Sequence, residues 1–323
     1  MICLGIESTA HTFGIAILKN KNVLANVFSA YKTEKGGIIP SEAAKHHESI
    51  KEEIILLALQ KAGIKLTDIN LIAYSKSPGL APCLRVGKDF AKELWEKLNV
   101  PVIGVNHCIA HLEIGRMITG AKDPVLLYCS GANTQVIAYA AGKYRIFGET
   151  LDMGIGNFID TFARSAGLGF PGGPKIAELA KKSKKLIELP YSVKGMDVSF
   201  SGMLTNLQQK LKTHGLAELS YSLQETAFAM LIEVAERAMA HLHKNELLLG
   251  GGVACNERLQ EMAKKMCLER KSKFFCPENQ YLVDNAAMIS WLGILMYNAG
   301  MRQKEIDFNP YERTDMVEVR WRK

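Results

Sequence analysis

GVNHCIAHLEIG, residues Gly104 to Gly115, places two imidazoles one helical turn apart. Asn106 is a favoured N-cap residue and the run after it holds few helix breakers, which predicts His107 in a first helical turn. His107 and His111 then stand at i and i+4 on one face, close enough to share one ion. Zinc takes histidine nitrogens at about 2.0–2.1 Å, and iron or nickel also accepts imidazole. The competing reading is a pair of histidines that merely pack or cap at the edge of a core. The zinc-protease motif needs Glu directly after the first His, as general base on the metal-bound water. Cys108 occupies that position here, so protease chemistry is not supported, and a helical metal pair stands open beside the packing reading.

The rest of the chain sets the context for this pair. Its 323 residues are long for one core and comfortable for two domains. MICLGIESTA at the start reads as a first strand; with no basic n-region and no long apolar h-region, no signal peptide is expected. No apolar run reaches the roughly 18 residues of a membrane span. The seven cysteines are scattered and never spaced C-x-x-C, which argues for a reducing, cytoplasmic setting and against a disulfide or zinc-finger framework. The formal charge of +7 favours an anionic partner such as nucleic acid.

Residues 2–7 and 13–18 are apolar runs around STAHT, which predicts strand, polar turn, strand. The hydroxyls and amides of such a turn can face a phosphate; a hydrated hairpin is the alternative. A strand is expected at 23–28, a loop at GGIIP (36–40), and then a helix ending at Gly63. That helix carries His46 and His47, whose side chains point about 100° apart, so they read as surface or interlobe residues rather than a chelating pair. INLIAYS is a strand, KSPGLAPCLRVG a Pro/Gly loop, DFAKELWEKLN a helix, and VPVIGVN the strand that delivers the histidines from its C-terminal end, where open α/β sheets bind ligands.

At 124 the pattern restarts. PVLLYCSGANTQVIAYA repeats the strand–turn–strand of ICLGIESTAHTFGIAIL at an offset of about 120 residues, near one domain length. Two such lobes imply a cleft lined by both turns, which Tyr128 and Ser130 reach from one strand face. A helix surrounds Asp160, and the Gly/Pro loop after it contains Gly172 and Gly173. Next comes an expected helix bearing Lys181, Lys182, Lys184 and Lys185, whose spacing clusters several on one side, as a solvated face or as a candidate RNA contact. Asp197, Ser199 and Ser201 alternate before another helix. A long helix is expected at 221–243. ELLLGGGVACNERLQEM reads as strand, triple glycine and helix, with Asn256 near the helix start, where a nucleoside can lie. Asp284 precedes a final helix, the ordinary place for an N-cap.

Taken in order, NHCIAH, YCSGANTQV, GGPK, GMDVSFSG, GGVACN and VDNAAMI resemble the universal tRNA N6-threonylcarbamoyladenosine transferases (TsaD-like), and most of all the archaeal and eukaryotic branch, the catalytic subunit of the KEOPS complex. The resemblance runs from about residue 2 to the C-terminus. It implies the α/β actin-like ATPase fold of sugar kinases and heat-shock chaperone ATPases, two duplicated lobes around a nucleotide cleft. The lobes are expected at 1–122 and 123–323, with a C-terminal segment able to pack back on the first. It further implies one metal ion per chain, iron or zinc, held by His107, His111, Tyr128 and Asp284. The implied ligand site for an adenine nucleotide or threonylcarbamoyl-AMP comprises Tyr128, Cys129, Ser130, Gly131, Ala132, Asp160, Gly173 and Asn256. Several positions depart from the family pattern: SGANT for SGGNT at Ala132, DNAAMI for DNGAMI at Ala286, SKSPG for SQGPG at Lys76 and Ser77, and Ala177 beside Glu178 where a glutamate is usual.

The activity so implied is transfer of threonylcarbamoyl from threonylcarbamoyl-AMP to the N6 amine of the adenosine 3′ of the anticodon, in tRNAs reading ANN codons. AMP leaves. Glu7, beside the first turn, is the candidate general base. The implied partners are tRNA and KEOPS subunits, including a small atypical protein kinase and a small dimerising subunit, with no membrane. An ATP-hydrolysing switch or kinase, or a nucleotide-binding scaffold of a protein complex, is the alternative that fold alone does not separate.

Overall fold

The first strand, β1 (Ile2–Glu7), is apolar almost throughout and has its residues alternating between two buried faces, as a central strand requires. In the computed structural model, which describes residues 1–33 and 37–322, β2 (Thr12–Lys19) and β3 (Asn22–Ala30) run antiparallel beside it. On its other side β4 (Leu71–Ser77) and β5 (Val102–Asn106) are parallel, giving the order β3-β2-β1-β4-β5. The second sheet repeats this plan. In it β6 (Val125–Cys129), β7 (Thr134–Ala140) and β8 (Lys143–Glu149) form the antiparallel meander, and β11 (Glu246–Gly250) and β12 (Lys273–Phe275) the parallel pair, in the order β12-β11-β6-β7-β8. Between these lie the short ribbon β9 (Val193–Lys194) and β10 (Asp197–Val198).

Helices complete five layers. α1 (Pro40–Ala62) and α2 (Ala81–Leu98) cover one face of the first sheet, meeting Leu4, Ile6, Ile15 and Tyr74. α4 (Ile155–Ser165), α5 (Gly173–Ala180), α6 (Ser201–Lys210), α7 (Leu216–His241) and α8 (Glu257–Glu269) belong to the core of the second sheet's outer face. The middle layer holds α3 (His107–Thr119) and α10 (Ala286–Asn298), preceded by the single turn α9 (Asn279–Leu282). There Cys3 and Ala73 of the first sheet share one cluster with Leu126 and Leu248 of the second. α10 sits on the first sheet almost backbone to backbone: a Cβ on Gly5 would lie 2.4 Å from Ser290 Oγ, and one on Gly293 2.4 Å from Ala73 Cβ. Among the described residues no helix is long and apolar enough to cross a membrane.

Four expectations change. The stretch read as a Pro/Gly loop before residue 89 is mostly helical, because Pro82 falls in the first turn of α2, where a missing N–H costs nothing. α7 likewise begins earlier, at Leu216, after Gly215. The lysine run does not continue a helix: α5 ends at Ala180, and from there Ile187 and Leu189 are buried while Leu186 and Glu188 are exposed. That period of two belongs to extended chain, so core burial overrides the helical spacing of the lysines. His47 is not a surface or interlobe residue. It is fully buried, packs on Phe13 at 5.6 Å between ring centroids, and its Nε2 lies 3.0 Å from Ala10 O within the same lobe. Of the loop expected at 36–40, Gly36 lies outside the described residues.

Candidate metal centre and ligand cleft

The helix that carries the histidine pair starts as its cap predicts. Asn106 Oδ1 accepts from the N–H groups of Cys108 at 3.1 Å and Ile109 at 3.3 Å, so His107 is the first residue of α3. The His107 and His111 rings stand 4.8 Å apart, nearly perpendicular. Asp284 reaches both from the far end of the chain, with its Oδ1 3.4 Å from His107 Nε2 and 3.5 Å from His111 Nε2. One donor atom from each of the three residues falls within 4.8 Å of the others. A tetrahedral site with bonds of about 2.1 Å separates its donor atoms by about 3.4 Å, which matches both nitrogen–oxygen distances.

The chemistry of the donor set fits a cation as well. His111 is buried with neither ring nitrogen hydrogen-bonded, an arrangement that costs about 1–3 kcal/mol for each unpaired group and that coordination relieves. Burial lowers the His111 pKa, against the pull of Asp284. Burial also opposes charge on His107, but Glu7 and Asp284 outweigh it and hold that pKa well above the usual imidazole value. Burial likewise opposes ionisation of Asp284, yet the two histidines keep its carboxyl well below the ordinary range. Tyr128 is buried with its ring 5.0 Å from that of His111. Burial pushes its hydroxyl pKa well up, so it would serve as an anionic ligand only beside a cation.

Glu7 stands behind His107 rather than in front of a substrate. It is wholly buried; Oε1 accepts from Thr9 N–H at 2.7 Å and from the Thr9 hydroxyl, and Oε2 lies 3.0 Å from His107 Nδ1. Both oxygens of the expected general base are therefore taken up by Thr9 and His107. A carboxylate on the far ring nitrogen is the arrangement that orients histidines in metal sites. The neighbouring Thr9 Oγ1, 3.2 Å from the same Nδ1, was missed. The STAHT turn does not offer Ser8 and Thr9 to a phosphate, since both side chains are buried.

The predicted ligand residues divide. Asp160 lies on α4 with Oδ1 accepting from Gly172 N–H at 2.7 Å, and burial raises its pKa. Gly173 begins α5 with open space where a side chain would be. Ser130 Oγ closes its own turn by accepting from Asn133 N–H at 3.1 Å. The carbonyls of Ser130 and Gly131 accept from Gly156 and Asn157 N–H at the start of α4. Ala132 is exposed and outside the positive-φ region, so replacing the usual glycine brings no backbone strain. Cys129 faces away from Tyr128 into the core, and burial keeps its thiol protonated; it offers the cleft only its backbone. Asn256 caps α8 by accepting from Arg258 N–H at 2.9 Å and Leu259 N–H at 3.4 Å, while Nδ2 donates to Gln224. One amide hydrogen remains for a ligand. Gly251, at φ +88°, lets its turn approach Cys129 O, which a Cβ would meet at 2.3 Å.

The lysines also divide. Lys181 pairs with Glu178 at 3.0 Å and Glu257 at 3.2 Å, and Lys185 with Glu218 at 3.1 Å. Lys182 and Lys184 are exposed and make no ion pair among the described residues.

Comparison with known proteins follows the same lines. A profile of the family described as tRNA N6-adenosine threonylcarbamoyltransferase matches residues 22–291. The Thermococcus kodakarensis protein of that description is 56% identical, over 99% of this chain and 100% of its own length. A Methanosarcina mazei protein described as a probable bifunctional tRNA threonylcarbamoyladenosine biosynthesis protein is 52% identical over 98% of this chain, which spans 59% of that relative. Among solved structures, T. kodakarensis HypF superposes with a TM-score of 0.62 at 15% identity, over 93% of this chain and 48% of that one. A ROK family glucokinase from Streptomyces griseus gives 0.52 at 12% identity, over 91% and 99%. These two likenesses establish the two-lobed actin-like ATPase fold and nothing more. Profile and full-length relatives together show that the chain belongs to the tRNA N6-adenosine threonylcarbamoyltransferase family.

Proposed function

We propose that the His107–His111–Asp284 cluster, with Tyr128, holds the metal of a threonylcarbamoyl transfer centre. The activity of the family is modification of tRNA: the threonylcarbamoyl group passes from its adenylate to the N6 amine of the adenosine 3′ of the anticodon, in tRNAs reading ANN codons. The carrying observation is the convergence of the three donors on one point, with His111 buried and neither of its ring nitrogens hydrogen-bonded. A metal bound there, iron or zinc, supplies a Lewis acid that offsets charge on the phosphate or carbamoyl oxygens.

The chain's own residues do the positioning. Glu7 and Thr9 hold the His107 ring. Asp160, anchored by Gly172 N–H, accepts ribose hydroxyls through its remaining lone pairs. The turn at Gly250–Gly252 and the spare Asn256 hydrogen bound the nucleoside. An aryl amine is a poor nucleophile, so orientation carries much of the acceleration. Lys182 and Lys184 are the tRNA contacts of the basic run, since Lys181 and Lys185 are engaged by glutamates. We assign the reaction to the cytoplasm, which the seven unpaired cysteines support. KEOPS subunits, including a small atypical protein kinase and a small dimerising subunit, are the proposed partners.

The test is incubation with tRNA, threonine, bicarbonate, ATP, an adenylate-forming enzyme and the partner subunits, followed by nucleoside analysis. Threonylcarbamoyladenosine should appear and should disappear with His107→Ala/His111→Ala. Modification that persists in the double variant would place the chemistry elsewhere.

A further inference from the structure

Lys76 and Ser77, where the family pattern has Gln and Gly, meet a segment that contributes no strand to either sheet. After α10 the chain runs back along the first lobe. Gln303 Oε1 accepts from Gly104 N–H at 2.6 Å, Asp307 O accepts from the Tyr74 hydroxyl at 2.7 Å, and Asn309 N–H donates to Lys76 O at 2.9 Å. Glu312 then enters between the two departures. Its Oε1 lies 3.2 Å from Lys76 Nζ, and its Oε2 accepts from the Ser77 hydroxyl. Ser77 is fully buried and its Oγ in turn accepts from Asn106 Nδ2 at 3.4 Å. Asn106 is the cap of α3, whose first residue is His107.

The relay has a direction. The Ser77 hydroxyl has one proton, and Glu312 takes it, which leaves only lone pairs to face Asn106. Asn106 must therefore present Nδ2 to Ser77 and Oδ1 to the helix, the flip state in which it caps Cys108 and Ile109. The same segment also touches α3 directly, where Trp321 Nε1 donates to Glu113 Oε1 at 2.8 Å.

We propose that Glu312 is a positioning residue of the metal centre, acting through Ser77 and Asn106 on the first turn of α3. This rests on the metal reading above. Removing a hydrogen-bond partner of a metal ligand commonly costs 10–100-fold in affinity; Glu312 acts further out, so about three- to tenfold is expected.

Cobalt(II) titration of the full chain, read by competition and by the visible absorption of the bound ion, tests this. Glu312→Ala and Ser77→Ala should each raise the Co(II) dissociation constant by about three- to tenfold and shift the absorption bands. Glu312→Gln, whose Oε1 still accepts from Ser77, should stay near the parent. Glu318→Ala, on the same segment but ion-paired only with Arg320 among the described residues, should match the parent. Parent-like affinity and spectra in Glu312→Ala overturn the proposal even if Ser77→Ala fails to fold. Cobalt retained unchanged in His107→Ala/His111→Ala removes the metal reading itself, and the role of Glu312 falls with it.

Discussion

Asn285, not Asp284, caps α10: its Oδ1 accepts from Met288 N–H at 3.1 Å, and the carboxylate one residue earlier is left to face the two histidines. Adjacent residues thus separate a stabilising task from a chemical one. Asn285→Ala should cost about 1–2 kcal/mol of folding free energy, as cap removal does, with metal content still near one per chain. Asp284→Ala should leave α10 capped but lower metal content sharply, since a ligand rather than a cap is lost. Elemental analysis beside denaturant unfolding checks both. Equal metal content in the two variants would contradict the division.

Asp160 gives a nucleotide prediction. A ligand bound only by the folded chain adds RT ln(1 + [L]/Kd), about 2.7 kcal/mol at one hundred times Kd. If Asp160 holds the ribose, Asp160→Ala should weaken adenine-nucleotide binding about tenfold, removing about 1.4 kcal/mol of that stabilisation. Asp160→Asn, which still accepts from Gly172 N–H, separates the ribose contact from the local fold. Identical ligand-induced shifts in parent and both variants would make Asp160 purely structural.

The basic run makes an unequal prediction for tRNA. Each phosphate neutralised steepens the dependence of log K on log salt by about 0.7–0.9. Lys182→Ala/Lys184→Ala should therefore flatten the slope by about one to two units in the assembled complex. Lys181→Ala/Lys185→Ala should flatten it less, because those charges already meet Glu178, Glu257 and Glu218. A larger effect from the second pair would reverse the assignment.

His47 makes the stability pH-dependent. Burial lowers its pKa to about 4, while the hydrogen bond to Ala10 O opposes the shift. The unfolded chain takes up the proton near pH 6.5 and the folded chain only near 4, so the neutral ring stabilises above the higher value. That contribution is lost as pH falls from 6.5 toward about 4, by up to about 1.4 kcal/mol per unit. His47→Gln keeps a donor for Ala10 O but has no proton to gain. Its stability should decline less steeply than the parent's across this window, measured by urea unfolding at each pH.

Local signals were readable and distant ones were not. The Asn106 cap, the i, i+4 histidines and the strand–turn–strand repeat depend on residues within a few positions of each other, and all appear in the structure. Asp284 looked like a cap because its true partners sit on another helix; only the family resemblance pointed to it. His47 was misplaced for the same reason, its burial depending on Phe13 and Ala10, more than thirty residues earlier in the chain. The lysine spacing suggested a helix, but Ile187 and Leu189 needed the core more. Glu7 was noticed for its place beside a turn, yet its role follows from what its two oxygens touch.

α10 has a consequence for the order of biosynthesis. The first lobe has all five strands of its sheet by residue 106, but the helix that seals the inner face of that sheet comes from residues 286–298. The amino-terminal half therefore leaves the ribosome unfinished, with Cys3, Ala73 and Val105 lacking their cover. The two imidazoles are made early, while the carboxylate that completes the cluster arrives with the last stretch of translation. A nascent or prematurely stopped chain can then own the histidine pair without owning the site. A 1–122 fragment should bind a hydrophobic dye that the full chain excludes, and should lack the third donor of the His107–His111–Asp284 cluster.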